Sequence, residues 1–191
     1  MKLMLVLLTI VAAPAWCAES VWLYDLNQHR AELDQHSEQV RSIASITKIM
    51  TAMVAVDRAP LDHLITVSEM AAKMEPNSMG LKAGEQLTLE ELLFGMMLDS
   101  GNDAAEAIAE GVGGGGGAGR DRFVGWMNDK ARTLGLADTS FANPAGLDDP
   151  KQYSTVYDLS VMGATLLKYP QLRTIVGTKA KVIESSKEPG H

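Results

Sequence analysis

The apolar positions of this chain change their spacing several times, and each change marks an element. Residues 21–24 alternate around Trp22 and predict a strand, residues 25–30 a turn, and residues 31–33 a returning strand. From residue 42 to 56 the only charge is Lys48, and the apolar residues Ile46, Ile49, Met50, Met53, Val54 and Val56 surround it on a segment expected to be helical from 45 to about 57. That pattern predicts a helix apolar on nearly every side, and therefore buried, with Pro60 closing it. Residues 64–67 read as a short strand and residues 74–84 as irregular. Thr88-Leu89-Glu90-Glu91 is a capping box, so a helix starts there and runs to about Leu98. A third helix is expected from Asp103 to Gly111, a fourth from Phe123 to Leu134, and a fifth capped by Ser154 and ending at Tyr169-Pro170. Residues 180–183 have the character of a further strand start. Helices dominate the middle and strands lie at both ends. The layout predicts an α/β body whose sheet is built from the two termini, with a helical insertion between them.

The glycine run at 113–117 is expected to be a flexible surface connection, since unbroken glycine does not sustain a helix. A phosphate cradle is the functional alternative, but the Gly-Lys-Ser/Thr ending that such loops need is absent. The first 18 residues read as a secretory signal: Lys2, an uncharged apolar run over 3–13, Pro14, then small residues at Ala15 and Ala18, with cleavage expected between 15 and 18. Residues 19–191 are left as the mature chain. Cys17 is the sole cysteine, so no internal disulfide is available.

Composition narrows the function classes. The apolar share of 46% and charged share of 21% are those of an ordinary globular protein. A formal charge of −7 with no Lys/Arg-rich run argues against a nucleic-acid partner. The histidines at 29, 36, 63 and 191 form no ligand spacing, so neither a metal nor a cofactor is expected.

Candidate chemistry begins at Ser45-Ile46-Thr47-Lys48. Residues at i and i+3 share a helix face, so the amine can reach the hydroxyl. Burial disfavours an ammonium and lowers its pKa. A neutral lysine beside a serine is a base beside a nucleophile, the minimal equipment for acyl transfer. With 12 serines and 10 lysines, chance alone supplies about 0.6 such match, so the pair needs support. Ser100-Gly101-Asn102, between two helices, can point polar side chains into a cleft; taken alone it is simply a good turn. A Ser-His-Asp triad is the competing nucleophile arrangement.

Read together, these stretches resemble the serine D-alanyl-D-alanine carboxypeptidases, the low-molecular-mass penicillin-binding proteins, for which Ser-x-x-Lys is a signature. Residues 41–52, 78–85, 98–105, 134–136, 141–147 and 153–159 match in the order and spacing of that family. The resemblance implies a β-lactamase/penicillin-binding-protein-like fold. It also implies a hydrolase that cleaves peptidoglycan stem peptides ending in D-Ala-D-Ala through an acyl-enzyme and is inhibited by β-lactams; a related D,D-endopeptidase cutting D-amino cross-links fits the same motifs. Ser45 would be the acyl nucleophile and Lys48 its general base. Ser100 would relay a proton to the leaving nitrogen, and Asn102 would orient substrate and lysine. The Ser45 backbone N–H would supply half of an oxyanion hole. A secreted protein of the periplasm or cell-envelope exterior is expected.

Two departures stand out. Ile43 occupies a position where the family usually has proline, and the family's Lys-Thr-Gly motif is absent; Gly177-Thr178-Lys179 has the residues in reversed order. By family spacing that motif falls shortly after His191. Residues 19–191 are therefore expected to be a partial catalytic domain lacking its C-terminal strands, with an incomplete sheet. Any C-terminal domain or membrane-anchoring helix would be missing too, which leaves membrane association unassigned. The alternatives are a β-lactamase, for which no Glu-x-x-x-Asn loop is present, and an inactive peptidoglycan-binding homologue.

Overall fold

The computed structural model of the protein describes residues 19–183, so the expected signal segment lies outside the described residues. The chain opens with an antiparallel hairpin, β1 (Val21–Asp25) and β2 (Arg30–Gln35), in which Val21 pairs with Gln35 and a register shift falls between Leu23 and Tyr24. The turn is closed by Asp25, whose carboxylate accepts from the backbone N–H groups of Asn27 (2.7 Å) and Gln28 (2.9 Å), an Asx turn that matches the residue types present. Trp22 holds the hairpin to the helical body through an edge contact with Tyr157, ring centroids 5.2 Å apart.

A single 3-10 turn, Ala44–Ile46, leads into α1 (Thr47–Arg58). Ser45 therefore precedes the α-helix, where the sequence had suggested the helix would begin at Ser45 itself. β3 (Leu64–Thr66) pairs antiparallel with β4 (Gln86–Thr88). β4 was not foreseen, because three residues leave no alternation to read. α2 (Leu89–Leu98) starts at the expected capping box: Thr88 Oγ1 accepts from Glu91 N–H, and the Glu91 carboxylate accepts from Thr88 N–H at 2.7 Å. α3 (Asn102–Gly113), α4 (Gly116–Thr133), α5 (Val156–Leu166) and α6 (Pro170–Val176) complete the described elements.

Several expectations change here. α5 is capped by Thr155, which accepts from Asp158 N–H, rather than by Ser154. The short α6 was not foreseen, and residues 180–183 form no strand. The glycine run is largely absorbed into helices, with α3 ending at Gly113 and α4 beginning at Gly116. Its physical use is close approach: a Cβ on Gly113 would lie 2.0 Å from the Gly119 carbonyl oxygen, so a larger residue there would drive the two helices apart.

α1 runs through the centre and packs against α2, α3, α4 and α5. Met50, Met53, Leu92, Leu93, Met96, Ile108, Phe123, Met127 and Met162 are fully buried around it. The methionines fill this core, their unbranched side chains suiting irregular space. No helix among the described residues is long and apolar enough to cross a membrane.

Candidate active site

The site forms where the N-terminal end of α1 meets the α2–α3 connection and residues 141–147. Ser45 is exposed, and Lys48, three residues on, is only 3% exposed. Ser45 lies in the 3-10 turn and Lys48 in the first turn of α1, and side chains three residues apart along a helical path share a face. Ser45 Oγ accordingly sits 3.1 Å from Lys48 Nζ. Ser100 Oγ donates to Ser45 Oγ at 2.9 Å, and Lys48 Nζ donates to Asn102 Oδ1 at 2.8 Å. All four residues singled out from the sequence thus converge on one point from segments more than 50 positions apart.

Local backbone explains how. Ala44 (φ 44°) and Ser100 (φ 57°) both adopt the left-handed region, and neither is glycine. Each such residue costs about 1–2 kcal/mol; Ala44 immediately precedes one hydroxyl of the pair and Ser100 carries the other. Asn102, 4% exposed, is held by its backbone N–H to Asn77 O (2.7 Å) and by its side-chain amide to Glu75 O (3.4 Å).

One partner left no mark in the sequence. Lys48 Nζ also donates to the Ala145 carbonyl at 2.6 Å. A main-chain acceptor carries no residue-type signal, so only the fold reveals it. Burial lowers the Lys48 pKa from 10.5 to about 8, with no charged neighbour contributing. Lys48 Nζ thus reaches three oxygens, Asn102 Oδ1, Ala145 O and Ser45 Oγ; in the uncharged amine, N–H bonds to the first two, which can only accept, would leave the lone pair facing Ser45. Among the described residues no histidine hydrogen-bonds to Ser45, so the triad alternative finds no support there. Among the described residues no three His, Cys, Asp or Glu side chains gather as metal ligands.

Residues 8–189 match the profile of peptidase S11, D-alanyl-D-alanine carboxypeptidase. The chain belongs to this family. It is 36% identical over 166 residues to D-alanyl-D-alanine carboxypeptidase DacF of Bacillus subtilis, a match covering 84% of this chain and 42% of that protein. It is 33% identical over 168 residues to DacC of Escherichia coli, covering 82% and 41%. The family fold is equally plain. The Streptomyces K15 DD-transpeptidase superposes with a TM-score of 0.81 at 31% identity over 88% of this chain and 67% of that one. DacD from Francisella tularensis gives 0.77 at 31% identity, over 88% and 42%. The chain thus has the penicillin-binding-protein-like α/β fold that its motifs imply, with small open antiparallel sheets and a helical subdomain. It spans about two fifths of the length of the first two family members.

Proposed function

We propose that this chain carries the acylating half of a serine D-Ala-D-Ala carboxypeptidase. In this reading Ser45 Oγ attacks the carbonyl carbon between the two terminal D-alanines of a peptidoglycan stem peptide, and its proton passes to Lys48 Nζ. The C–N bond then breaks, the departing D-alanine nitrogen takes a proton relayed through Ser100, and water hydrolyses the Ser45 ester. Asn102 holds the amine, and the Ser45 N–H stabilises the developing oxyanion, a contribution of about 3–4 kcal/mol per donor. β-Lactams, which resemble the D-Ala-D-Ala end, would stop at the ester. The carrying observation is a buried amine with no counter-ion among the described residues, held by Asn102 Oδ1 and Ala145 O and lying 3.1 Å from the serine oxygen. Residues 1–18 act as the export leader, placing residues 19–191 in the periplasm or on the outer side of the cell envelope.

Labelling with a fluorescent penicillin tests the assignment. Ser45→Ala is expected to abolish the covalent adduct while leaving the circular dichroism spectrum unchanged. Labelling that persists refutes the nucleophile, and an unlabelled parent chain refutes acylation by these 191 residues.

The pH dependence gives a second test. The uncharged amine is the competent base, so the second-order rate of labelling should rise with pH through about 8 and level off above it. A rate flat across that interval contradicts the role of Lys48. Stability carries a linked sign. Between about 8 and 10.5 the unfolded chain binds more protons at this lysine than the folded one does. Lys48 therefore makes the fold more stable as pH rises through that window.

A further inference from the structure

Residues 141–147 reach the site through their backbone. The Ala145 carbonyl accepts from Lys48 Nζ at 2.6 Å, and the Pro144 carbonyl accepts from Thr51 Oγ1 at 2.7 Å, one turn further along α1. A carbonyl positions an amine only if the carbonyl itself cannot turn. Two buried amide side chains provide that restraint. Asn143, 7% exposed, accepts on Oδ1 from the N–H groups of Gly146 (2.8 Å) and Leu147 (3.0 Å) and donates from Nδ2 to Leu147 O (2.8 Å). Gln152, 4% exposed, accepts from Ala142 N–H and Asn143 N–H, both at 3.1 Å, and donates to Leu147 O at 3.0 Å. The Asn143 bonds bracket Ala145 from both sides.

We propose that Asn143 is a positioning residue for acyl transfer: by closing the turn over residues 143–147 it fixes the Ala145 carbonyl, and that carbonyl aims the Lys48 amine at Ser45. The proposal rests on the reading of Ser45 and Lys48 given above. An amine nitrogen has one bond to carbon and three remaining directions. With two of them set by Asn102 Oδ1 and Ala145 O, the third points at the serine oxygen. Freeing the carbonyl releases one of those constraints and opens the lysine to water. Both consequences act against proton transfer, the first through geometry and the second by restoring the ammonium form.

The test titrates Lys48 directly, by NMR of the whole chain carrying isotope-labelled lysine, the signal being assigned by its loss in Lys48→Met. Asn143→Ser retains one weaker acceptor and Asn143→Ala retains none. Lys48 should titrate at higher pH in the serine variant and higher still in the alanine variant. The rising limb of penicillin labelling should move with it, and labelling at neutral pH should fall about 10- to 100-fold. Ile65→Ala, a buried position in β3, serves as the comparison for general destabilisation; it should lower Tm and leave the Lys48 titration in place. An unchanged titration in both Asn143 variants overturns the proposal, as does an equal shift in Ile65→Ala. If Asn143→Ala does not fold, the serine variant alone decides by the same criterion. If the parent chain is not labelled at all, the acylation reading fails, and the titration still decides whether Asn143 positions the lysine.

Discussion

Replacing Asp103 with alanine is expected to lower stability by about 3–5 kcal/mol. Asp103 is fully buried in the first turn of α3. One carboxylate there accepts from Ser78 Oγ (2.6 Å) and from the backbone N–H groups of Met79 (3.0 Å), Gly80 (3.1 Å), Leu81 (3.1 Å) and Ala104 (2.8 Å). A residue in the first turn also gains from the positive end of the helix dipole. Alanine leaves the N–H groups of Met79 and Leu81 without this acceptor in a region that must stay packed, while Gly80 N–H keeps Ser78 Oγ at 2.9 Å. Asn102, the preceding residue, draws its backbone restraint from Asn77 O, so the loosened loop also reaches the lysine. Asp103→Asn separates acceptor number from shape. It is isosteric, yet its Nδ2 presents hydrogens to N–H groups, so a loss of about 2 kcal/mol or more is expected. Urea denaturation measures both variants. A change under about 0.5 kcal/mol in Asp103→Asn would show that the donors find water instead.

Gly146→Ala should damage both stability and acylation. Gly146 has φ 94°, and a Cβ built on it would lie 2.0 Å from the Ala44 carbonyl oxygen, 2.4 Å from its carbon and 2.9 Å from Ser45 N. Every one of those atoms is backbone, so no flexible side chain can yield. The left-handed backbone and the overpacking together cost about 2–5 kcal/mol. The strain falls on the 3-10 turn carrying Ser45, and displacing the oxygen by as little as about 1 Å is worth roughly 100-fold in rate. Gly84→Ala is the matched comparison: its φ is 83°, but nothing lies within 4 Å of the added carbon. It should cost about 1–2 kcal/mol and leave penicillin labelling intact. Equal labelling rates in the two variants would show that the contact between residues 146 and 44–45 does not hold the nucleophile.

How much of this was legible beforehand depends on whether the signal was a side chain or a backbone atom. The Thr88–Glu91 capping box, the apolar surround of Lys48 and the hairpin around Trp22 were readable because each rests on residue types at short spacing. β4 and α6 escaped notice, being three and seven residues long. The glycine run misled for a physical reason. Glycine is a poor helix former in isolation, but tight packing of Gly113 against Gly119 selects it. Asp103, Asn143 and Gln152 are ordinary turn and cap residue types, and nothing local distinguishes a solvated amide from one closing a loop over the nucleophile.

From the sequence alone came the chemistry: a serine three residues before a lysine with no charge around it, and a second serine and an asparagine more than 50 residues further on. The tertiary structure decided whether those groups could act on one another. Packing α1 against α2, α3 and the 141–147 backbone removes water from the amine, supplies the Ala145 carbonyl, and brings Ser100 within 2.9 Å of Ser45. The physical reason is range. Side-chain identity and helical periodicity are local properties, whereas desolvation and a three-cornered hydrogen-bond arrangement exist only once distant segments are in contact.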